Sequence, residues 1–458
     1  MSNGELISKH AGVSESIADG DDGELTELAD RVLTTARRLG ADSGETAINR
    51  SQGFSVNVRM GEVETIEHNR DKSLVVTVYF GHKTGSASTS DFGAAAVEDT
   101  VRAACTIARY TASDDCAGLA DAEDLATEIR ELDLDHPWDI TVEQAIDLAG
   151  ECEGSARGFD ARITNSEGAA VSTHRGTEIY ANTHGFVGCS SGTRHSISCA
   201  VVGGQDNTMQ RDYWYSSVRD FKELEPAGSV GEMAARRTIR RLGAHKIKST
   251  QCPVLYEAPV AASLLAHFIS AIRGSALYRK ATFLLDQLGK PLFAEDISIG
   301  EYPHLPKAIG SSNYDGEGVA TRTRNIVQAG ILDSYVLDSY SARKLGMKTT
   351  GDAGGVRNLC IQSGNNDLSA MIRDMDTGLL VTELIGSGVN NVTGDYSRGA
   401  VGFWVQNGEI QHSVEEVTVA GNLKDMFRQI VAVGSDVDTR GNIRSGSILL
   451  EQITVAGD

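Results

Sequence analysis

The stretch TELIGSGVNNVTGDYSRGAVGFWVQNGEI, residues 382–410, determines the fold that we predict for the second half of the chain. Apolar and β-favouring residues such as Leu384, Val392 and Phe403 are interleaved with glycines. Asn407-Gly408 lies between residues of this kind, which is the strongest short-range signal of a hairpin. The stretch therefore predicts short, closely packed strands joined by tight turns, with glycine where backbones approach or φ is positive.

A second glycine-punctuated polar run, DSYSARKLGMKTTGDAGG, occupies residues 338–355. Loops on a β scaffold are common locations for binding and catalytic residues. We therefore predict that both runs face a peptide or a partner subunit, and the candidate residues are Ser339, Tyr340, Arg343, Asp352, Asp395, Tyr396 and Arg398. An alternative is that Asp395 and Arg398 pair with each other or satisfy turn amides.

Composition limits the classes of function. The chain has 458 residues, enough for two or three domains. Its net charge of −21 argues against nucleic-acid binding and against an anionic membrane surface. No apolar run approaches the roughly 20 residues that cross a bilayer. The seven cysteines are odd in number and never form a CxxC pair, so we expect reduced thiols and a cytoplasmic protein.

The pattern along the chain predicts an α+β fold. Residues 1–23 are polar and predict a disordered tail, and residues 24–245 predict an N-terminal α+β domain. Two helix-meander-helix units, residues 24–120 and 140–245, are predicted within it, the second ending in a helix that a Ser229–Glu232 capping box opens. Residues 246–458 predict a mostly-β C-terminal domain that carries the glycine-rich loops.

Both glycine-rich runs resemble the TldD/PmbA metallopeptidase family, specifically its PmbA (TldE) branch. The resemblance extends more thinly over nearly the whole chain. It implies a two-domain α+β chain that forms dimers. It also implies that the PmbA-type subunit pairs with a TldD-like subunit in a cytosolic zinc peptidase that acts on small or unfolded peptides.

The resemblance makes the metal motif decisive. The catalytic branch carries HExxxH on a helix, where two imidazoles hold zinc and the glutamate acts on the bound water. Here the matching segment is LLAHFISA, residues 264–271, with Ala266 and Ala271 at the ligand positions and only His267 between them. The catalytic branch also uses a C-terminal cysteine as a metal ligand, and in this chain no cysteine follows Cys360. We therefore predict no metal and no catalytic residue in this chain, and zinc in the partner subunit.

Two other chemistries have weaker signals. The sequence GCSSG at residues 188–192 fits the nucleophile elbow G-x-S-x-G, but an elbow needs a helix after it. The residues that follow alternate like a strand, which favours a turn inside a meander. Cys189 and Cys199 lie near His184 and His195 in sequence, yet cysteine is commonly a small buried hydrophobe.

The sequence thus predicts a PmbA/TldE-type subunit, non-catalytic or regulatory, of a zinc metallopeptidase. It would form a heterodimer with a TldD-like subunit, or a homodimer, and would meet a peptide substrate. Two alternatives stay open at this point. One is a metallopeptidase active by itself as a homodimer, and the other is a non-enzymatic peptide-binding module.

Overall fold

A computed structural model describes residues 20–458, apart from the side chains of residues 20–22 and 207. The mixed α+β class predicted from the sequence is confirmed. Of the predicted tail, residues 1–19 lie outside the described residues, and residues 20–23 are helical, because α1 begins at Gly20. Helices and strands up to residue 241 are α1 Gly20–Arg38, β1 Ser43–Arg59, β2 Glu62–Phe80, β3 Lys83–Thr89, α2 Ala94–Tyr110, α3 Val142–Gly158, β4 Ile163–Asn182, β5 Val187–Gly203, β6 Gln210–Val218 and α4 Ala227–Arg241.

These six strands form one antiparallel sheet in the order β3-β2-β1-β4-β5-β6. Each half has a helix, three strands and a second helix, and the halves join at the central β1–β4 pair. Two apolar clusters bind the helices to the sheet. One contains Val32, Ile48 and Val101, and the other contains Val171 and Val230. The four helices therefore stabilise the sheet by burying its apolar side chains.

The second half is richer in strands. It contains β7 Thr250–Tyr256, α5 Ala258–Ala271, α6 Gly274–Tyr278, β8 Ile299–Glu301, β9 Arg324–Gln328, β10 Ile331–Leu332, α7 Ser339–Leu345, β11 Leu359–Ile361, α8 Leu368–Met375, β12 Gly378–Ile385, β13 Asp395–Gln406, β14 Glu409–Asn422, α9 Leu423–Arg428, β15 Ile430–Val433, β16 Ile443–Arg444 and β17 Ile448–Ala456. One sheet has the order β14-β13-β12-β7-β17-β15, and a further β14–β17 pairing closes five of these strands into a ring. A smaller sheet has the order β10-β9-β8-β11-β16.

Helix α5 lies in the largest apolar core of the molecule. Leu264, Leu265 and Phe268 are fully buried there, together with strand residues of the ring such as Val254 and Val419. A helix that is apolar on most of its surface is expected to be buried in this way. The position of α5 brings its single histidine, His267, against strand β13.

The predicted hairpin at Asn407-Gly408 is confirmed. Asn407 has φ 54° and Gly408 has φ 71°, as the two central positions of a type I′ turn require, and they join β13 to β14. Gly402 shows the close backbone approach predicted for this stretch, because a Cβ there would lie 1.8 Å from the carbonyl oxygen of Leu380. Glycine composition therefore reflects strand packing here.

The predicted capping box at Ser229 is wrong. Helix α4 begins two residues earlier, directly after Pro226, and has no side-chain cap. The proline already sets a φ suited to entering a helix, so the helix start moves upstream and Ser229 lies in the first turn. A capping box does occur at the start of α3, between Thr141 and Gln144.

Candidate functional site

Helix α7 carries two of the predicted site residues, Tyr340 and Arg343. Asp338 caps this helix by accepting a hydrogen bond from the amide of Ser341 at 2.7 Å. The hydroxyl of Tyr340 donates to Asp114 at 2.8 Å, and Lys344 donates to the other oxygen of that carboxylate at 2.8 Å. These bonds tie α7 to the segment that follows α2 in the first half.

Arg343 extends the same contact. Its guanidinium donates to the carbonyl oxygens of Gly118 at 3.2 Å and Leu119 at 2.5 Å, and to the Asp121 carboxylate at 2.7 Å. One planar group with several donors can bind a curved loop in this way. Within this chain, Tyr340 and Arg343 hold residues 114–121 against α7.

Asp352 is buried in a charged group that the sequence did not predict. Arg324 donates to Glu301 at 2.9 Å and also to Asp352, and the three side chains are at most 12% exposed. Burial, followed by the charge of Asp352, raises the pKa of Glu301 to about 7. These residues come from separate segments, so no sequence pattern brings them together.

Ser339 is buried at the start of α7. Its amide donates to Glu317 at 2.9 Å. Burial raises the pKa of Glu317 to about 7, although the Ser339 hydrogen bonds oppose the shift. A half-buried carboxyl group of raised pKa therefore lies beside α7.

The three candidates on β13 lie on two faces of the strand. Asp395 is exposed and accepts a hydrogen bond from Thr393 at 2.6 Å. Arg398 is half-buried and donates to the carbonyl oxygen of Leu384, so the predicted pairing of Asp395 with Arg398 is wrong. Residues three positions apart on a strand lie on opposite faces, whereas Tyr396 and Arg398, two apart, share the face that meets the core.

Tyr396 and Arg398 belong to a group of four side chains that we call the polar cluster, together with Tyr256 and His267. Tyr256 ends β7, and His267 comes from α5. The His267 and Tyr396 rings meet edge to face, with centroids 6.1 Å apart. Tyr256 and Tyr396 are almost fully buried, and their hydroxyl groups are neighbours.

Each member of the polar cluster has a buried polar atom without a hydrogen-bond partner in the described chain: Tyr256 Oη, His267 Nε2, Tyr396 Oη and Arg398 Nε. Among the described residues, the guanidinium of Arg398 donates one hydrogen bond, from Nη2 to the carbonyl oxygen of Leu384 at 3.4 Å. Burial raises the pKa of both tyrosines. Burial, followed by the charge of Arg398, lowers the pKa of His267, so this imidazole is neutral near pH 7.

These residues do not suit zinc. Zinc sites in proteins use imidazole, thiolate and carboxylate ligands. His267 is flanked by Ala266 and Ala271 on its helix, and its neighbours are two phenols and a guanidinium cation that would repel a metal ion. Among the residues that the structure describes, no group of three or more His, Cys, Asp or Glu side chains could hold a metal.

The weaker sequence signals are resolved by β5. The GCSSG segment lies inside this strand, so it forms no strand-to-helix elbow, as the alternation of the following residues predicted. Beside it, a cleft of about 330 Å³ opens on the polar face of the first sheet, lined by Ser172, His174, Arg194, Ser196, Ser198, Tyr215 and Ser217. None of the seven cysteines forms a disulfide.

Comparison with known proteins supplies the class. Three models of PmbA/TldA metallopeptidase domains match the chain in order: domain 1 over residues 44–108, the central domain over 135–242 and the C-terminal domain over 249–457. The chain is 46% identical to Metalloprotease PmbA of Escherichia coli O157:H7, covering 94% of this chain and 96% of that protein. It is 43% identical to a PmbA homolog of Haemophilus influenzae, covering 98% and 100%.

Solved structures agree on the fold. A protein of Bacteroides thetaiotaomicron, described as a candidate modulator of DNA gyrase, has a TM-score of 0.91 and 28% identity, and the match covers 97% of this chain and all of that one. TldE of Thermococcus kodakarensis has a TM-score of 0.83 at 19% identity, covering 94% and 100%, and supports the fold alone. The order of domains defines a metallopeptidase-class chain. It belongs to the PmbA/TldE family. Within residues 20–458, no helix has the length and apolar character needed to cross a bilayer.

Proposed function

We propose that this chain is the non-catalytic, supporting subunit of a PmbA/TldD-type peptidase that acts on small or unfolded peptides. The catalytic zinc would be held by a TldD-like partner. The observation that carries the proposal is the combination of family membership with the environment of His267. On α5, no second ligand accompanies this histidine, and a guanidinium lies beside it.

The charge distribution near α5 supports the same proposal. Zinc-bound water is activated by the positive charge of the metal, and its protein ligands must be neutral imidazoles or anions. The polar cluster contains one cation and no carboxylate or thiolate. A chain with these residues can help to shape a chamber or hold a peptide, but it lacks the ligands for activating water there.

The proposed complex is cytoplasmic and heterodimeric. Seven cysteines without a disulfide fit a reducing compartment. The assembly is proposed on the basis of the family resemblance. A homodimer with metal ligands from scattered residues, and a peptide-binding module without catalysis, are the competing outcomes of the experiment.

The experiment is zinc analysis with peptide cleavage, on the purified chain and on its complex with a TldD-like subunit. We expect little zinc and no cleavage for this chain alone, and about one zinc ion per heterodimer, with cleavage that a chelator abolishes. A His267→Ala variant should leave the zinc content of the heterodimer unchanged. One tightly held zinc per chain in the absence of a partner, with chelator-sensitive cleavage, would refute the proposal.

A further inference from the structure

We infer that the polar cluster formed by Tyr256, His267, Tyr396 and Arg398 is a pocket for a carboxylate group of a bound peptide. The inference rests on the proposed function, because it assigns part of the peptide to this chain. It starts from four buried polar atoms that have no partner in the described chain. Buried polar groups in proteins nearly always have a hydrogen-bond partner, and leaving one unsatisfied is unfavourable. Four such atoms among neighbouring side chains indicate a site that something else completes.

The chemistry of these atoms selects an anion. The hydroxyl groups of Tyr256 and Tyr396 are close enough for one to donate to the other, which leaves one phenol hydroxyl for a ligand. That hydroxyl, the neutral imidazole of His267 when its proton is on Nε2, and the Nε–H of Arg398 can donate at the same time. An anionic oxygen accepts several hydrogen bonds at once, and its bonds to charged donors are the strong ones. A cation would instead be repelled by Arg398. Neighbouring donors with one positive charge fit a carboxylate.

Not every arginine of this acidic chain has a carboxylate partner. Arg237 faces Asp212 and Arg324 faces Glu301, whereas the half-buried Arg219 and Arg357 donate to main-chain carbonyl oxygens and form no ion pair among the described residues. Arg398 forms no ion pair within the described part of the chain, and a single long hydrogen bond to a carbonyl oxygen holds its Nη2. The guanidinium therefore has unused donors in a partly desolvated position, where an ion pair is worth more than in water.

The surroundings favour a peptide over a free ion. His267 and Arg398 are partly exposed, although their unpaired nitrogen atoms are buried, so these two side chains lie between the surface and the fully buried tyrosines. Ile385 is 55% exposed and directly follows Leu384, whose carbonyl oxygen binds Arg398. An apolar side chain beside a charged pocket can contact the apolar part of a peptide residue whose carboxylate enters the pocket. Each peptide bond that is cleaved also leaves a new C-terminal carboxylate.

The test measures binding to the purified chain by titration calorimetry, with the imidazole NMR signals of His267 as the local readout. The probes are N-acetyl-dialanine, its C-terminal amide, N-acetyl-aspartate diamide and inorganic phosphate. We expect N-acetyl-dialanine to bind and to shift the His267 signals, and the amide to bind at least tenfold more weakly. Binding of the aspartate probe as well would support carboxylate recognition and would show that a side-chain carboxylate is accepted too.

Variants separate this site from general attraction of anions. Arg398→Gln and Tyr396→Phe should each weaken binding about tenfold or more, since a hydrogen bond to a charged group is lost. Arg194→Gln is the control, because Arg194 also lacks an ion pair among the described residues but its Nε donates to Ser217 at 3.0 Å on the other sheet. Tyr396→Phe removes one hydroxyl only, so it tests the site even if Arg398→Gln folds poorly.

Three results would overturn the inference: equal binding of acid and amide, tighter binding of phosphate than of N-acetyl-dialanine, or an equal loss in the Arg194→Gln control. No binding at millimolar concentrations would also overturn it and would assign the four atoms to ordered water. These measurements use the chain without zinc or partner. Failure of the zinc experiment would therefore refute the subunit role and leave the binding result intact, and the reverse also holds.

Discussion

Replacing Arg324 with methionine should strongly destabilise the second half of the protein. The guanidinium is 12% exposed and joins the carboxylates of Glu301 and Asp352, which are 3% and 1% exposed. It also donates to Ser334 and, at 3.0 Å, to the carbonyl oxygen of Tyr335. Removing the cation leaves two buried carboxylates facing each other. Breaking a buried pair in this way costs about 3–5 kcal/mol.

The same variant has a distinct pH dependence. The folded-state pKa of Glu301, about 7, lies above its ordinary value of 4.5, so ionisation of this group opposes folding. Its contribution to stability is fully present below about pH 4.5 and is lost as pH rises through about 7. Without Arg324, no cation lies between Glu301 and Asp352, so ionisation of Glu301 is less favourable still. The deficit of Arg324→Met should therefore be larger at pH 7.5 than at pH 5.

The free energy of unfolding is measured by chemical denaturation at both pH values, with a spectroscopic probe in the second half of the protein to monitor unfolding. The control is Arg211→Met, because Arg211 pairs with Glu167 at 2.8 Å while both side chains are nearly half exposed. An exposed pair of this kind contributes about 0–1 kcal/mol. A deficit below about 1 kcal/mol for Arg324→Met, or one that grows on acidification, would refute the reasoning.

Three further changes follow from single contacts. Arg343→Ala should accelerate amide hydrogen exchange in residues 114–121, which that side chain holds; unchanged exchange would show that the loop is stable by itself. Gly402→Ala should lower the free energy of unfolding by about 1–3 kcal/mol or more, because its Cβ would lie 1.8 Å from a main-chain oxygen. Gly441→Ala is the control for the same thermal unfolding measurement, and it should be nearly neutral because the atoms nearest to its Cβ lie at 3.9 Å. Glu317→Gln should raise the free energy of unfolding by about 1–2 kcal/mol at pH 8 and by little at pH 5. The reason is that the pKa of this carboxyl group is about 7, so its ionisation opposes folding above that pH. Equal effects of the substitution at both pH values would contradict this prediction.

Local signals in the sequence predicted local structure well. The Asn407-Gly408 turn required positive φ at two successive residues, and few residue types allow that, so the hairpin could be predicted. The apolar character of residues 258–288 likewise favours one or two buried helices, and α5 and α6 lie within that range. Ser229 failed because two start signals competed, and the proline upstream set the first turn. A short motif is reliable when no neighbouring residue offers the backbone another solution.

The charged contacts could not be predicted, because they join distant segments. Asp114 meets Lys344 across 230 positions, and Arg324 lies between Glu301 and Asp352. Periodicity indicates which face of a strand is buried but not which strand or loop lies opposite. Predicting these partners needs the order of strands in each sheet, and that order depends on long-range packing.

Half of the polar cluster, the two residues on β13, could be predicted from the sequence. Period-two alternation on β13 places Tyr396 and Arg398 on one face, and the apolar residues further along that strand make it the buried face. An anion would stabilise a half-buried arginine there, and β13 itself offers none on that face. The sequence could therefore have predicted an unpaired charge, although not that His267 and Tyr256 would stand beside it. Because the three neighbours of Arg398 add hydrogen-bond donors and no negative charge, the missing carboxylate must come from outside the described chain if the site is to be satisfied by an ion pair.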